Sequence, residues 1–76
     1  MNPEKLVRMV NQIAAFFAHE GPEKAPSSIA DHLHKFWDPR MRAELLTAVA
    51  EGRAAGLVPF AQAAVKQLAD SQNVTP

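Results

Sequence analysis

The dipeptide Asp38-Pro39 is the feature that most constrains how this chain can fold, because it interrupts a sequence otherwise typical of amphipathic helices. Proline fixes its own φ and biases the preceding residue away from helical dihedrals. Asp is favoured as a helix N-cap and Pro at the first helical position. We therefore predict a corner at which one helix ends near Trp37 and the next begins at Pro39.

The corner, residues 36–42, combines aromatic and cationic side chains with this capping pair. Its structural members are predicted to be Phe36, Asp38, Pro39 and Met41. Trp and Arg are over-represented at binding hot spots. The predicted partner-binding residues are Trp37, Arg40 and Arg42, together with Leu46 in the following helix. A single Trp in a small helical protein is more often part of the core. Trp37 therefore has two alternative roles, one structural and one in partner contact.

The first helix is predicted over residues 3–19, from a start signal and a periodic apolar face. Asn2 can cap the helix, Pro3 suits its first position, and the carboxylate of Glu4 suits its first turn. The apolar face is formed by Leu6, Met9, Val10, Ile13, Phe16 and Phe17. Their helical spacing indicates that one side of this helix is buried.

The second helix is predicted over residues 28–37, after a loop over residues 20–27 that contains Gly and two prolines. Ser27 or Ser28 would cap this helix, with Asp31 completing a weak form of the capping box. Its apolar face is formed by Ile29, Leu33 and Phe36.

Two further helices are predicted over residues 39–51 and 59–69, which completes an all-α, compact array of four short helices. Residues 1–70 would form a single domain and residues 71–76 a disordered tail. Helix 3 is apolar on two sides, and Leu46 lies on the second of them. A helix that is apolar around more than half of its circumference is usually covered by something, so Leu46 is predicted to contact a partner.

Composition argues against several classes of protein. Eight basic and eight acidic residues give a formal net charge of zero, which speaks against general binding to nucleic acids or membrane surfaces. No apolar run approaches the length of a membrane span, so we expect a soluble protein. The chain has no cysteine, which excludes disulfides and thiolate metal sites and is compatible with the cytoplasm.

The pattern of reactive side chains does not indicate an enzyme. His32 and His34 are two residues apart, which on a helix turns them about 200° from one another, whereas a helical metal site favours spacing of four. The serines and threonines lack the nucleophile turn, and the carboxylates have capping or helix-pair explanations. We predict no catalytic, cofactor-binding or metal-binding residues.

Three segments carry a resemblance to a known family. They are Asn2-Pro3-Glu4-Lys5-Leu6-Val7-Arg8-Met9 with Asn11-Gln12-Ile13, Ile29-Ala30-Asp31-His32-Leu33, and Lys35-Phe36-Trp37-Asp38-Pro39-Arg40-Met41-Arg42. Together they resemble the delta subunit of the soluble NAD-dependent formate dehydrogenase over residues 2–69. The run Phe-Trp-Asp-Pro-Arg-Met-Arg is the most specific element.

The resemblance implies a cytoplasmic, non-catalytic accessory subunit that supports assembly or stability of the complex. In that family the catalytic subunit carries a molybdenum or tungsten pterin cofactor and iron–sulfur clusters, whereas the delta subunit carries no cofactor. The implied partner is the catalytic subunit. The surplus apolar surface of helices 3 and 4 further predicts that the isolated chain forms a homodimer that buries Leu46.

The alternative hypothesis is a free-standing helical regulator that binds an anionic ligand or a nucleic acid through residues 32–42. Lys35, Arg40 and Arg42 around Trp37 favour it. Asp31 and Asp38 in the same stretch argue against it. A nucleic-acid complex would weaken steeply with salt, because phosphate contacts release counterions.

Overall fold

Residues 2–72, the part of the chain that the computed structural model describes, fold into helices without any strand. Side chains are described for residues 2–71. The helices are α1 Pro3–Phe17, α2 Ala25–Phe36, α3 Pro39–Ala50 and α4 Pro59–Gln72, with a short 3₁₀ helix Ala18–Glu20 after α1. The predicted all-α array of four short helices is confirmed.

The first helix begins as predicted. The side chain of Asn2 accepts a hydrogen bond from the Lys5 backbone N–H at 2.8 Å, and Pro3 occupies the first turn. The α-helical part ends at Phe17, ahead of the predicted end at His19, because the chain tightens there into the 3₁₀ helix.

The second helix begins at Ala25, ahead of the predicted start at Ser28, and the prediction of a serine cap is wrong. Pro26 fits the first turn because no backbone N–H is needed there. The Ser27 hydroxyl instead donates to Gln67 Oε1 of α4 at 3.1 Å, and the Ser28 hydroxyl to Glu20. Ala25 and Pro26 are buried, so apolar burial stabilises a helix start that has no side-chain cap.

The predicted corner between α2 and α3 is confirmed. Asp38 Oδ1 accepts a hydrogen bond from the Met41 backbone N–H at 2.9 Å, and Pro39 begins α3. Trp37 has extended dihedrals and is only 6% exposed, whereas Phe36 is 73% exposed. The placement of Phe36 on the buried face with Ile29 and Leu33 is therefore wrong, because Trp37 fills the corner of the core.

The core receives buried side chains from all four helices, and α2 and α4 make the most extensive helix–helix contact. The α1 helix contacts each of the other three, whereas α3 rests on α1 and has little contact with α2 or α4. The largest fully buried side chains are Leu6, Val10, Ile29, Leu33 and Leu45. Ala61 and Ala64 are also fully buried, and such small side chains let α4 approach its neighbours closely.

The connection between α3 and α4 is held at both ends. Gly52 has φ +75°, and the Arg53 backbone N–H donates to the Ala48 carbonyl at 2.8 Å, which closes the end of α3 in a Schellman motif. The Asn11 side chain of α1 donates to the Gly56 carbonyl at 2.9 Å and accepts from the Val58 N–H at 3.0 Å. The connection is thus tied to α1.

The fourth helix continues to Gln72, so Ser71 and Gln72 of the predicted tail are helical. The remainder of that tail, residues 73–76, lies outside the described residues. None of the helices formed by residues 2–72 combines the length and apolar character needed to cross a bilayer.

We expect Asp38→Ala to lower the free energy of unfolding by about 1 kcal/mol, because the Met41 N–H loses its acceptor at the start of α3. Urea unfolding followed by circular dichroism measures the change. Asp38→Ser retains a capping oxygen and should stay within a few tenths of a kcal/mol of the parent chain. Equal losses from the two variants would contradict the capping role.

Candidate partner-binding surface

An open groove of about 870 Å³ runs between α3 and α4 and is closed at one end by their connection. Its lining residues are Leu46, Thr47, Val49, Ala50, Gly52, Ala54, Ala55, Gly56, Leu57, Gln62, Val65, Lys66 and Ala69. Most of them are apolar, and many are small. We call this surface the α3/α4 groove.

The groove exists because α3 is apolar on two sides and uses only one of them for the core. Leu45 and Ala48 are buried, whereas Leu46 is half-buried and Val49 is 38% exposed. Since α3 has little contact with α4, no other helix among the described residues covers this second side. The sequence-predicted residue Leu46 therefore lies on a solvent-open apolar wall.

The polar side chains of the groove differ in how they are used. Gln62 Nε2 donates to the Leu57 carbonyl at 2.8 Å, which ties α4 to the preceding connection. Lys66 is the only charged side chain among the described residues that line the groove. It forms no hydrogen bond or ion pair within the described part of the chain, although Asp70 follows it by one helical turn.

The predicted partner-binding residues are not brought together. Trp37 is buried and borders a shallow pocket beside α1, whereas Leu46 lines the α3/α4 groove. Arg40 is exposed and borders a third concavity with Pro3 and Thr47. These three residues thus face three different surfaces. Trp37 precedes α3, and Arg40 and Leu46 differ in direction because the helix turns successive side chains by about 100°.

Arg42 has a role within the chain that the sequence did not indicate. Its Nη1 donates to the His34 carbonyl at 3.0 Å and to the Trp37 carbonyl, at the end of α2. Helices leave their last carbonyls without partners, so a guanidinium is well suited to this position. Contact of Arg42 with a partner stays a prediction, but its guanidinium already ties α3 to α2.

A second exposed apolar surface lies where α1 and α2 end. The His32 ring packs between Phe17, at 6.0 Å, and Phe36, at 4.7 Å between ring centroids. Phe16 stacks edge-on against Phe17 and is 71% exposed. Sequence reasoning placed Phe16 and Phe36 in the core. No signal in the sequence separates them from the buried apolar residues, since Leu6 and Val7 are also neighbours on a helix and both are buried.

The cations of the corner do not converge on one anion site. Lys35 pairs with Asp31 at 3.1 Å, and Arg42 binds backbone carbonyls, which leaves Arg40 on a separate surface. Among residues 2–72, no group of three or more His, Cys, Asp and Glu side chains is placed to hold a metal ion.

Comparison with protein families gives one match. Residues 5–65 match the family described as NADH-dependent formate dehydrogenase delta subunit FdsD, and this range includes both walls of the α3/α4 groove up to Val65. Neither the curated proteins nor the solved structures gave a significant match.

We expect Arg42→Met to lower the free energy of unfolding by about 1.5–3 kcal/mol, because a charged donor to the α2 carbonyls is lost. Arg40→Met is the matched control. It removes an exposed guanidinium from the same turn and should change stability by less than about 0.5 kcal/mol. Thermal and urea unfolding measure both. Equal effects would show that the carbonyl contacts do not stabilise the corner.

Proposed function

The chain belongs to the FdsD family of NADH-dependent formate dehydrogenase delta subunits, and from that premise we propose that it is a non-catalytic accessory subunit of a cytoplasmic formate dehydrogenase complex. Its proposed action is to dock on a larger redox subunit, the catalytic subunit being the partner, and to support assembly or stability of the complex. Membership in the family makes the chain a subunit of such a complex; the manner of its contribution is the proposal.

The observation that carries this proposal is the uncovered apolar wall of the α3/α4 groove. A contiguous, solvent-open apolar surface on a small protein is typical of an interaction site. Val49 and the half-buried Leu46 present apolar surface in this lining, which also includes the polar Thr47. Apolar side chains with a few polar groups among them are the usual composition of a protein–protein interface.

The groove is suited to binding because hydrogen bonds within the chain position its walls in the absence of a partner. The capped corner and Arg42 position α3 against α2, and Asn11 anchors the connection to α1. A preorganised surface has less conformational entropy to lose on association. A partner that binds only the folded chain also stabilises it, in proportion to the logarithm of partner concentration over Kd.

We expect Val49→Asp to weaken retention of the chain in the purified formate dehydrogenase complex about tenfold to a hundredfold, because it places a charge in an apolar contact. Val58→Asp is the matched control, since Val58 is 39% exposed, as against 38% for Val49, but does not line the groove. Subunit stoichiometry after affinity purification gives the result.

Circular dichroism of both variants checks that each remains helical, since the new charge in the last turn of α3 costs about 0.3–1 kcal/mol in itself. Normal stoichiometry with Val49→Asp would contradict docking through the groove. Loss of the chain with Val58→Asp alone would place the contact elsewhere.

We also propose that the chain, when purified without its partner, self-associates as a two-fold dimer that buries Leu46. The same exposed wall supports this, because an isolated chain has only another copy with which to cover it. Sedimentation equilibrium at tens of micromolar should give a dimer for the parent chain and a monomer for Val49→Asp. A monomeric parent chain would contradict the proposal.

A further inference from the structure

The charge distribution of the α3/α4 groove is asymmetric. Among its described lining residues, Lys66 is the one cation, and none is Asp or Glu. Within the described residues Lys66 has no hydrogen bond or ion pair, whereas the exposed Lys35 of α2 pairs with Asp31. Gln62, the nearest polar lining residue of α4, is already bonded to the Leu57 carbonyl. Lys66 is thus the available charged group for a partner.

The shape of the groove favours a helix. The lining residues of α4 are Gln62, Val65, Lys66 and Ala69, spaced as i, i+3, i+4 and i+7 along one face. Such a ridge is the surface against which a second helix packs. Ala50 on α3 and Ala54 in the connection are small and let another backbone approach closely. Within residues 2–72 there is no strand, and hence no sheet edge for an extended peptide to join.

We propose that the α3/α4 groove receives an amphipathic α-helix of the larger subunit, whose apolar face carries one Asp or Glu that pairs with Lys66. This inference rests on the proposed function and names the chemistry of the docking segment. The apolar face of that helix covers Leu46 and Val49. The carboxylate sets its register, because a helix shifted by one turn would lose the pair.

A single charge pair in an apolar contact contributes more to specificity than to affinity. Desolvation offsets much of the attraction, but removal of one partner leaves the other charge without compensation. The methylene stem of Lys66 can lie along the apolar wall while its ammonium group reaches the rim. The position therefore suits a pair at the edge of the interface, where salt screens it in part.

The test compares Lys66→Glu, Lys66→Met and Lys24→Glu in the co-expressed formate dehydrogenase complex. Lys66→Glu should weaken retention of the chain about a hundredfold, because the new carboxylate repels the acidic residue of the partner helix. Lys66→Met should weaken it about tenfold, because it only removes the positive charge. Lys24→Glu reverses an exposed lysine outside the groove and should leave retention unchanged. The parent complex should weaken more steeply with NaCl than the Lys66→Met complex.

A photo-cross-linking benzoylphenylalanine in place of Ala50 identifies the occupant. Ala63 is the control position, since both alanines are exposed on helices but only Ala50 lines the groove. The expected adduct from position 50 is one segment of the larger subunit with apolar residues at helical spacing and an acidic residue among them. Position 63 should give no such adduct.

The outcomes separate the two proposals. Failure of the parent chain to co-purify with the complex would overturn the accessory role and this inference with it. Normal retention of Lys66→Glu in an intact complex, or an adduct with a basic or non-helical segment or with a second copy of this chain, would overturn only the inference.

Discussion

The tie between the end of α2 and the start of α3 is the interaction on which the rest of this structure depends. Asp38 satisfies the Met41 N–H of α3, and Arg42 reaches back to the His34 and Trp37 carbonyls of α2. The N-cap thus satisfies a backbone N–H at the start of α3, and a side chain of α3 satisfies carbonyls at the end of α2. Every helix end leaves such backbone groups without a partner inside the helix. Because α3 has little direct contact with α2 or α4, this corner and the contact with α1 determine where α3 lies.

That placement explains why the surplus apolar surface forms a groove rather than a flat patch. The α3 helix is held beside α4 without packing on it, and the connection between them is anchored by Asn11 and closed by the Schellman motif. Hydrogen bonds of the corner and of the connection therefore set the walls and the closed end of the groove. Of its lining residues, Leu57 and Val65 are buried in the core, whereas Val49 and Ala50 are exposed and can be reached by another protein.

Local chemistry made the helix starts at Pro3 and Pro39 predictable, because an N-cap and a proline act within a few residues of one another. Leu46 could be placed on an unused face of α3 by periodicity alone. The start of α2 could not, since burial of Ala25 and Pro26 outweighed the available serine cap. The roles of Asn11 and Arg42 could not be predicted either, because tertiary structure determines which acceptors lie near them. Asn11 donates a hydrogen bond to a residue 45 positions away. The position of Lys66 in an apolar groove likewise depends on the tertiary structure and could not be predicted from the sequence.

Arg42 and Leu46 show why proximity on a helix does not imply a shared function. They lie one turn apart on α3, yet Arg42 is directed to the carbonyls of α2 and Leu46 to the open groove. Loss of Arg42 would change the position of a groove wall without removing any residue from it, so weaker assembly in such a variant would report on the corner. Loss of Val49 acts on the wall itself and leaves the corner intact. Stability and retention measured together therefore distinguish the part of α3 that holds the fold from the part that is proposed to contact the larger subunit.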